Sequence, residues 1–218
     1  MKQIFVKGTK EVIPAGNIFC LGRNYVAHAH ELGNQVPDEP VIFLKPTSCL
    51  IREGSDIVLP PRSSNVHEEL ELGIVISKDG KDIPQGNAFE HVLGYLVLLD
   101  ITARDLQDKA KAKSLPWAVS KGYDTFGPIS DMVMKDGVAD PQDLDLRLWV
   151  NGELRQDSNT SLMIFKIDFL ISYLSAIFTL SRGDIIATGT PAGVSQIRAG
   201  DVLRGQISGV GDVTFKVR

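Results

Sequence analysis

Val92–Leu99, VLGYLVLL, runs eight residues without a charged or amide side chain and stops at Asp100. Such a run reads as a strand buried on both faces, because a solvated face would show polar residues at every second position. A chain that contains it must cover the strand with further layers. The material is there: 218 residues, 43% of them hydrophobic and 23% charged, bury a sizeable core without a disulfide staple. Cys20 and Cys49 are the only cysteines, too few for a disulfide framework.

Other strands announce themselves by alternation. Leu144–Val150 alternates with period two and meets Asn151-Gly152, then Glu153–Gln156. Asn-Gly between such runs is a strong hairpin signal, since a type I′ turn needs two positive φ values. Gly73–Ser77 followed by Lys78-Asp79-Gly80-Lys81 reads as a second hairpin, and Val202–Val217 as the closing strands. Helices are expected over Asn24–Leu32 (with Gly33 as its stop), Thr102–Lys113 and Phe165–Leu180. The last carries Ile167, Leu170, Ile171, Leu174 and Ile177 at spacings of three and four. The pattern predicts a strand-dominated α+β fold with two or three outer helices.

No repeat period emerges, and Lys135–Asp143 is turn chemistry rather than a linker, so residues 1–218 are expected to form one domain. A net charge of −4 offers no basic face to nucleic acid or an anionic membrane. The apolar runs are too short or too polar to span a bilayer. The first ten residues hold three lysines and no long apolar stretch, which makes the cytoplasm the expected compartment.

The chemistry begins at Asn65–Gly73, NVHEELELG. Glutamate is depleted in strands, yet three glutamates stand just before an apolar strand. Side chains alternate, so Glu69 and Glu71 share a face with His67 alongside, while Glu68 points the other way. Two carboxylates about 6.5–7 Å apart on one face repel unless a proton or a cation lies between them. Asp100, where the buried strand gives way to a polar helix, is the third candidate. Three carboxylates make an all-oxygen site suited to Mg²⁺ or Mn²⁺ rather than Zn²⁺. The same spacing also suits a solvated strand edge, and Asp100 also suits a helix cap.

On the first helix His28 and Glu31 are neighbours, three residues apart, whereas His30 diverges. A carboxylate beside an imidazole makes a general base near neutral pH, though a surface ion pair has the same spacing. Lys121, in a Gly/Pro-rich loop, and Arg104, one helical turn beyond Asp100, are candidate binders of a substrate carboxylate. The backbone of Thr188–Gly193, or Thr190 itself, would also meet an anion. A Gly-x-Ser-x-Gly elbow, a His-Glu-x-x-His pair and a Cys-x-x-Cys pair are all missing.

Taken together, several ordered blocks resemble the fumarylacetoacetate hydrolase superfamily over nearly the whole chain. They are GRNY (22–25), EPVIFLKP (39–46), HEELELGIVI (67–76), DITARDLQD (100–108), PWAVSKGYDTFGP (116–128), VNGELRQ (150–156), SLMIF (161–165) and GDIIATGTPAGV (183–194). The short acylpyruvase and oxaloacetate decarboxylase branch is the most similar. The resemblance implies a mixed β-sandwich roll, generally dimeric, with Glu69, Glu71 and Asp100 holding Mg²⁺ or Mn²⁺. It also implies that His28 and Glu31 activate water from a lid over residues 24–36, and that Lys121 is the active-site lysine. Arg23, Arg104, Gln107 and Thr190 would line the substrate pocket. Relatives often carry a second histidine where this chain has Glu68, which faces away from the metal.

A 2-oxo or 2,4-dioxo acid fits those residues, since its carboxylate and 2-keto oxygen chelate a divalent ion. Breaking its C3–C4 bond leaves charge on a pyruvate enolate, which the cation and Lys121 stabilise. Hydrolysis needs the His28–Glu31 pair to deliver water; decarboxylation does not. Two rivals stand beside this expectation. One is an isomerase or tautomerase of the 2-hydroxyhepta-2,4-diene-1,7-dioate type on the same site, and the other a metal-stabilised scaffold that binds a keto acid without turning it over.

Overall fold

A computed structural model of the protein, describing residues 2–218, makes the apolar run a central strand of a strand-dominated α+β fold. In chain order the elements that frame the core and the site begin with β1 (Ile18–Gly22), α1 (Val26–Glu31), β2 (Val41–Lys45), β3 (Leu70–Ile76) and β4 (Val92–Leu99). They continue with α2 (Arg104–Ala112), α3 (Ala118–Lys121), β5 (Val133–Met134), β6 (Asp145–Val150) and β7 (Glu153–Asn159). The last are α4 (Ile167–Ile177), β8 (Ile185–Ala187), β9 (Val202–Ile207) and β10 (Gly211–Lys216).

The principal sheet has six strands in the order β5-β4-β3-β8-β1-β2, antiparallel except for the β8–β1 pair. An antiparallel four-stranded sheet, β7-β6-β9-β10, packs against β3 and β4, so both are covered on two faces. Every residue of β3 is buried. Packing on β3 leaves no spare room: a Cβ on Gly73 would lie 2.4 Å from Cδ1 of Leu96, its partner on β4. Each large side chain sealed in this interior contributes about 1.5–3 kcal/mol.

One consequence of register positions the site. β3 and β4 pair Leu70 with Leu99 and Glu71 with Leu98. The ladder continues one step further, the Asp100 N–H donating to the Glu69 carbonyl at 2.8 Å. Residues 31 positions apart in sequence thereby become neighbours at one end of the sheet.

The Asn151-Gly152 hairpin, the closing strands and the long amphipathic helix form as predicted. Other expectations need correcting. Gly73–Ser77 does not fold back at Lys78–Lys81; the chain makes an excursion through a 3₁₀ segment, Gln85–His91, and returns as β4. That excursion packs against α4, and Gly80 bridges to Leu180. Thr102-Ala103 is a short strand rather than the start of α2. There are four α-helices among the described residues, not two or three, and α3 turns the expected loop at Lys121 into one helical turn. No helix among the described residues is long and apolar enough to cross a membrane.

Candidate active site

The β3–β4 register brings the acidic trio together. Glu69, Glu71 and Asp100 are all buried, and each offers a carboxylate oxygen within 4.8 Å of the others'. Neither a solvated strand edge nor a helix cap describes them: Asp100 is fully enclosed, and α2 begins at Arg104 with Ala103, which has no capping side chain, in the cap position. His67, expected beside them, is instead turned to Asn65 Oδ1 at 2.9 Å. Burial and the nearby Arg104 push its imidazole down to about 4.

Cations balance two of the three acids. Lys121 Nζ donates to Glu69 Oε2 at 2.8 Å and to Asp100 Oδ2 at 2.5 Å. Arg104 donates to the other oxygen of Glu69 and to Gln107 Oε1, the latter at 2.5 Å. Lys45 Nζ donates to Asp100 Oδ1 at 2.6 Å and to the Ile101 carbonyl at 3.2 Å. Burial would raise the Glu69 carboxyl, but Lys121 and Arg104 outweigh it and hold it well below the usual carboxylate range. Glu71 has no such partner. Its Oε2 accepts only the Gly189 N–H, at 2.9 Å. Burial, then the charges of Asp100 and Glu69, push it well above the usual range. A buried carboxylate stressed in this way is relieved by a cation, so the donor set suits a hard divalent ion.

His28 is buried at the wall of the cavity that Glu69, Glu71, Arg104, Gln107 and Lys121 also line. Its Nδ1 lies 3.4 Å from Glu31 Oε2, close but not aligned for a hydrogen bond. Burial lowers the imidazole, with Glu69 opposing, which disfavours its charged form. Glu31 accepts the Gly193 N–H at 3.0 Å. The turn Thr188–Gly193 therefore spends two backbone donors on Glu71 and Glu31 rather than on an outside anion. Gly189 and Gly193 sit at φ +91° and +101°, and a Cβ at Gly193 would fall 2.0 Å from the Arg155 carbonyl oxygen.

Arg23 and Thr190 reach the same cavity. Arg23 has φ 61°, a left-handed conformation that costs a non-glycine residue roughly 1 kcal/mol or more. The Thr190 hydroxyl donates to the Leu70 carbonyl at 2.9 Å and accepts from Gln156 Nε2 at 2.8 Å, so it has no proton left for a ligand.

Three contributors escape sequence reasoning. Lys45 is wholly buried beneath the trio, and its signal was a lysine closing the apolar strand VIFLK. Gln156, also buried, accepts the Leu70 N–H at 2.9 Å and ties β3 to the 188–193 turn. Asn24 is no helix cap, since α1 starts after Tyr25. Its side chain donates to the Phe165 and Thr188 carbonyls and accepts the Phe165 N–H, anchoring the base of α1.

Glu68 faces away from the trio, as expected, and accepts the Ser195 N–H and hydroxyl at 3.1 and 2.9 Å. Burial raises its carboxyl from 4.5 to about 7, which those bonds only partly offset. The folded state thus binds the extra proton between these values, and stability falls as pH rises through that window, by roughly 3 kcal/mol in all. Thermal melts of wild type and Glu68→Gln from pH 5 to 8 check this: the variant should show a flatter profile.

The family model described as "Fumarylacetoacetate (FAA) hydrolase C-terminal" matches residues 17–218. The mitochondrial oxaloacetate tautomerase of Arabidopsis thaliana is 49% identical over 217 residues, covering 100% of this chain and 94% of the relative. The mitochondrial oxaloacetate decarboxylase of Dictyostelium discoideum is 50% identical over 202 residues, 92% of this chain and 93% of the relative. Among solved structures, fumarylpyruvate hydrolase from Pseudomonas aeruginosa in complex with Mn²⁺ and pyruvate superposes with a TM-score of 0.95. It has 37% identity and coverage of 99% and 95% of the two chains.

Proposed function

The chain belongs to the fumarylacetoacetate hydrolase family, and on that footing we propose that it is a divalent-cation-dependent enzyme working through the enolate of a small 2-oxo acid. An oxaloacetate-type diacid or an acylpyruvate is the substrate class, and cleavage of the C3–C4 bond the principal outcome. The observation that carries this reading is that the acidic trio meets at one point, and two of its members line a single cavity together with Arg104, Lys121 and the buried His28.

Glu69, Glu71 and Asp100 would hold Mg²⁺ or Mn²⁺. A divalent cation there supplies Lewis-acid stabilisation of negative charge developing on a 2-keto oxygen. The chain's own residues do the rest. Arg104, braced by Gln107, presents a guanidinium to a substrate carboxylate. Lys121 adds positive charge beside the carbon skeleton, and the low-dielectric surroundings strengthen both effects. His28 takes a proton from water for hydrolysis. Glu31 then stabilises the imidazolium, and Gly193 keeps Glu31 in place. The segment 24–36, anchored through Asn24, acts as the lid that carries His28. Proton transfer at C3 by the same histidine gives the tautomerase alternative, which the 49% identical tautomerase favours.

Chelator-treated protein, assayed with oxaloacetate, acetylpyruvate and 2-hydroxyhepta-2,4-diene-1,7-dioate, tests this reading. Pyruvate release and loss of the enol absorbance separate cleavage from tautomerisation. Turnover of at least one acid should appear only on adding Mg²⁺ or Mn²⁺. Turnover that ignores the chelator, or none with either ion, overturns it.

A further inference from the structure

Every carboxylate oxygen of Glu69 and Asp100 already has a cationic donor. Glu69 Oε1 is held by Arg104 and Oε2 by Lys121, while Asp100 Oδ1 is held by Lys45 and Oδ2 by Lys121. Asp100 does not reach the cavity wall, whereas Lys121 does. A cation entering from the cavity therefore finds one free acid, Glu71, and two acids engaged.

The three donors differ in how firmly they are fixed. Lys45 has a side chain with no exposure and a second bond to the Ile101 carbonyl. Arg104 is a planar fork pinned by Gln107. Lys121 alone bridges two carboxylates and has no neutral hydrogen-bond acceptor to keep it there. Its ammonium lies 4.8 Å from the centre of the Phe43 ring, an apolar face along which the flexible stem can move.

We propose that Lys121 is the counter-ion that a divalent cation must displace, so that loading the trio and presenting the Lys121 ammonium to the substrate are one event. This rests on the reading of Glu69, Glu71 and Asp100 as the cation site. Charge counting gives the consequence. Three carboxylates face Lys45, Lys121 and Arg104, which leaves the buried cluster neutral when all six are charged. With a divalent ion added, and Lys121 released from the carboxylates but still lining the cavity, the site as a whole carries two positive charges, matching a doubly charged acid. The cation binds first and creates the attraction for the diacid.

Two measurements on the full chain test it. The first is Mn²⁺ affinity by electron paramagnetic resonance of the free ion, for wild type and Lys121→Met. Removing the competing ammonium should tighten binding by about tenfold. The variant keeps Arg104 on Glu69 and Lys45 on Asp100, so both acids that Lys121 bridges retain a cationic partner. The second is nitrogen-15 NMR of the lysine ammonium groups during a Mg²⁺ titration. The Lys121 signal, assigned by its absence from Lys121→Met, should leave its ion-paired position at saturation while that of Lys45 stays. If wild type binds the ion but Lys121→Met binds equally or more weakly, or the Lys121 signal does not move, the displacement is wrong and the cation site stands. If wild type binds neither ion, both fail.

Discussion

Glu71→Gln is expected to fold at least as well as wild type and yet lose turnover by about a thousandfold or more, roughly 4 kcal/mol of transition-state stabilisation. The two effects separate because Glu71 is the member of the trio with no cationic partner. Burial and its acidic neighbours already disfavour its charge, so an amide removes a stressed carboxylate and breaks no ion pair. Without added metal the melting temperature should hold or rise. Asp100→Asn gives the contrast: it strips a charge from both Lys45 and Lys121 in a fully buried setting, which costs about 3–5 kcal/mol of stability. Parallel melts and turnover assays in the presence of Mn²⁺ check the pair. A Glu71→Gln protein with wild-type turnover would remove the acid from the chemistry altogether.

His28→Ala is expected to divide the activities. Hydrolysis of an acylpyruvate should fall by about 10²–10⁴-fold, the usual worth of a positioned general base, while Mn²⁺ affinity changes little. His28 makes no hydrogen bond to the trio, and its Nδ1 has only Glu31 nearby, so removing the ring leaves the carboxylates as they are. Decarboxylation of oxaloacetate, which needs no activated water, should survive far better. Rates on both substrates beside a metal titration decide the matter. Equal loss of hydrolysis and metal binding would mean that the histidine supports the site rather than the reaction.

Much of this was legible in the residues themselves. An eight-residue apolar run ending in aspartate and a Glu-x-Glu before a second apolar strand were enough to nominate the trio. Period two around Asn151-Gly152 located a hairpin, and the spacing of Ile167, Leu170, Ile171 and Leu174 located a helix. What periodicity does not carry is which distant segments meet. β8 lies beside β1, pairing Ile185 with Ile18, and nothing in either segment names the other. The turn at Lys78–Lys81 looked sufficient for a hairpin, but α4 captures that excursion, so tertiary packing overrode a local signal. Lys45 stayed hidden for the same reason: a lysine at the end of a strand is normally solvated, and only the fold sets it under Asp100. Asparagine favours helix starts, yet the partners of Asn24, Phe165 and Thr188, are more than a hundred residues away.

Anomalous scattering from crystals of the full chain grown with MnCl₂ asks the central question most directly. One Mn²⁺ peak per chain is expected, about 2.0–2.3 Å from oxygens of Glu69, Glu71 and Asp100. Crystals in which manganese lies elsewhere, or nowhere, with Glu69 and Asp100 still paired only to their lysines and arginine and Glu71 only to the Gly189 N–H, would contradict it.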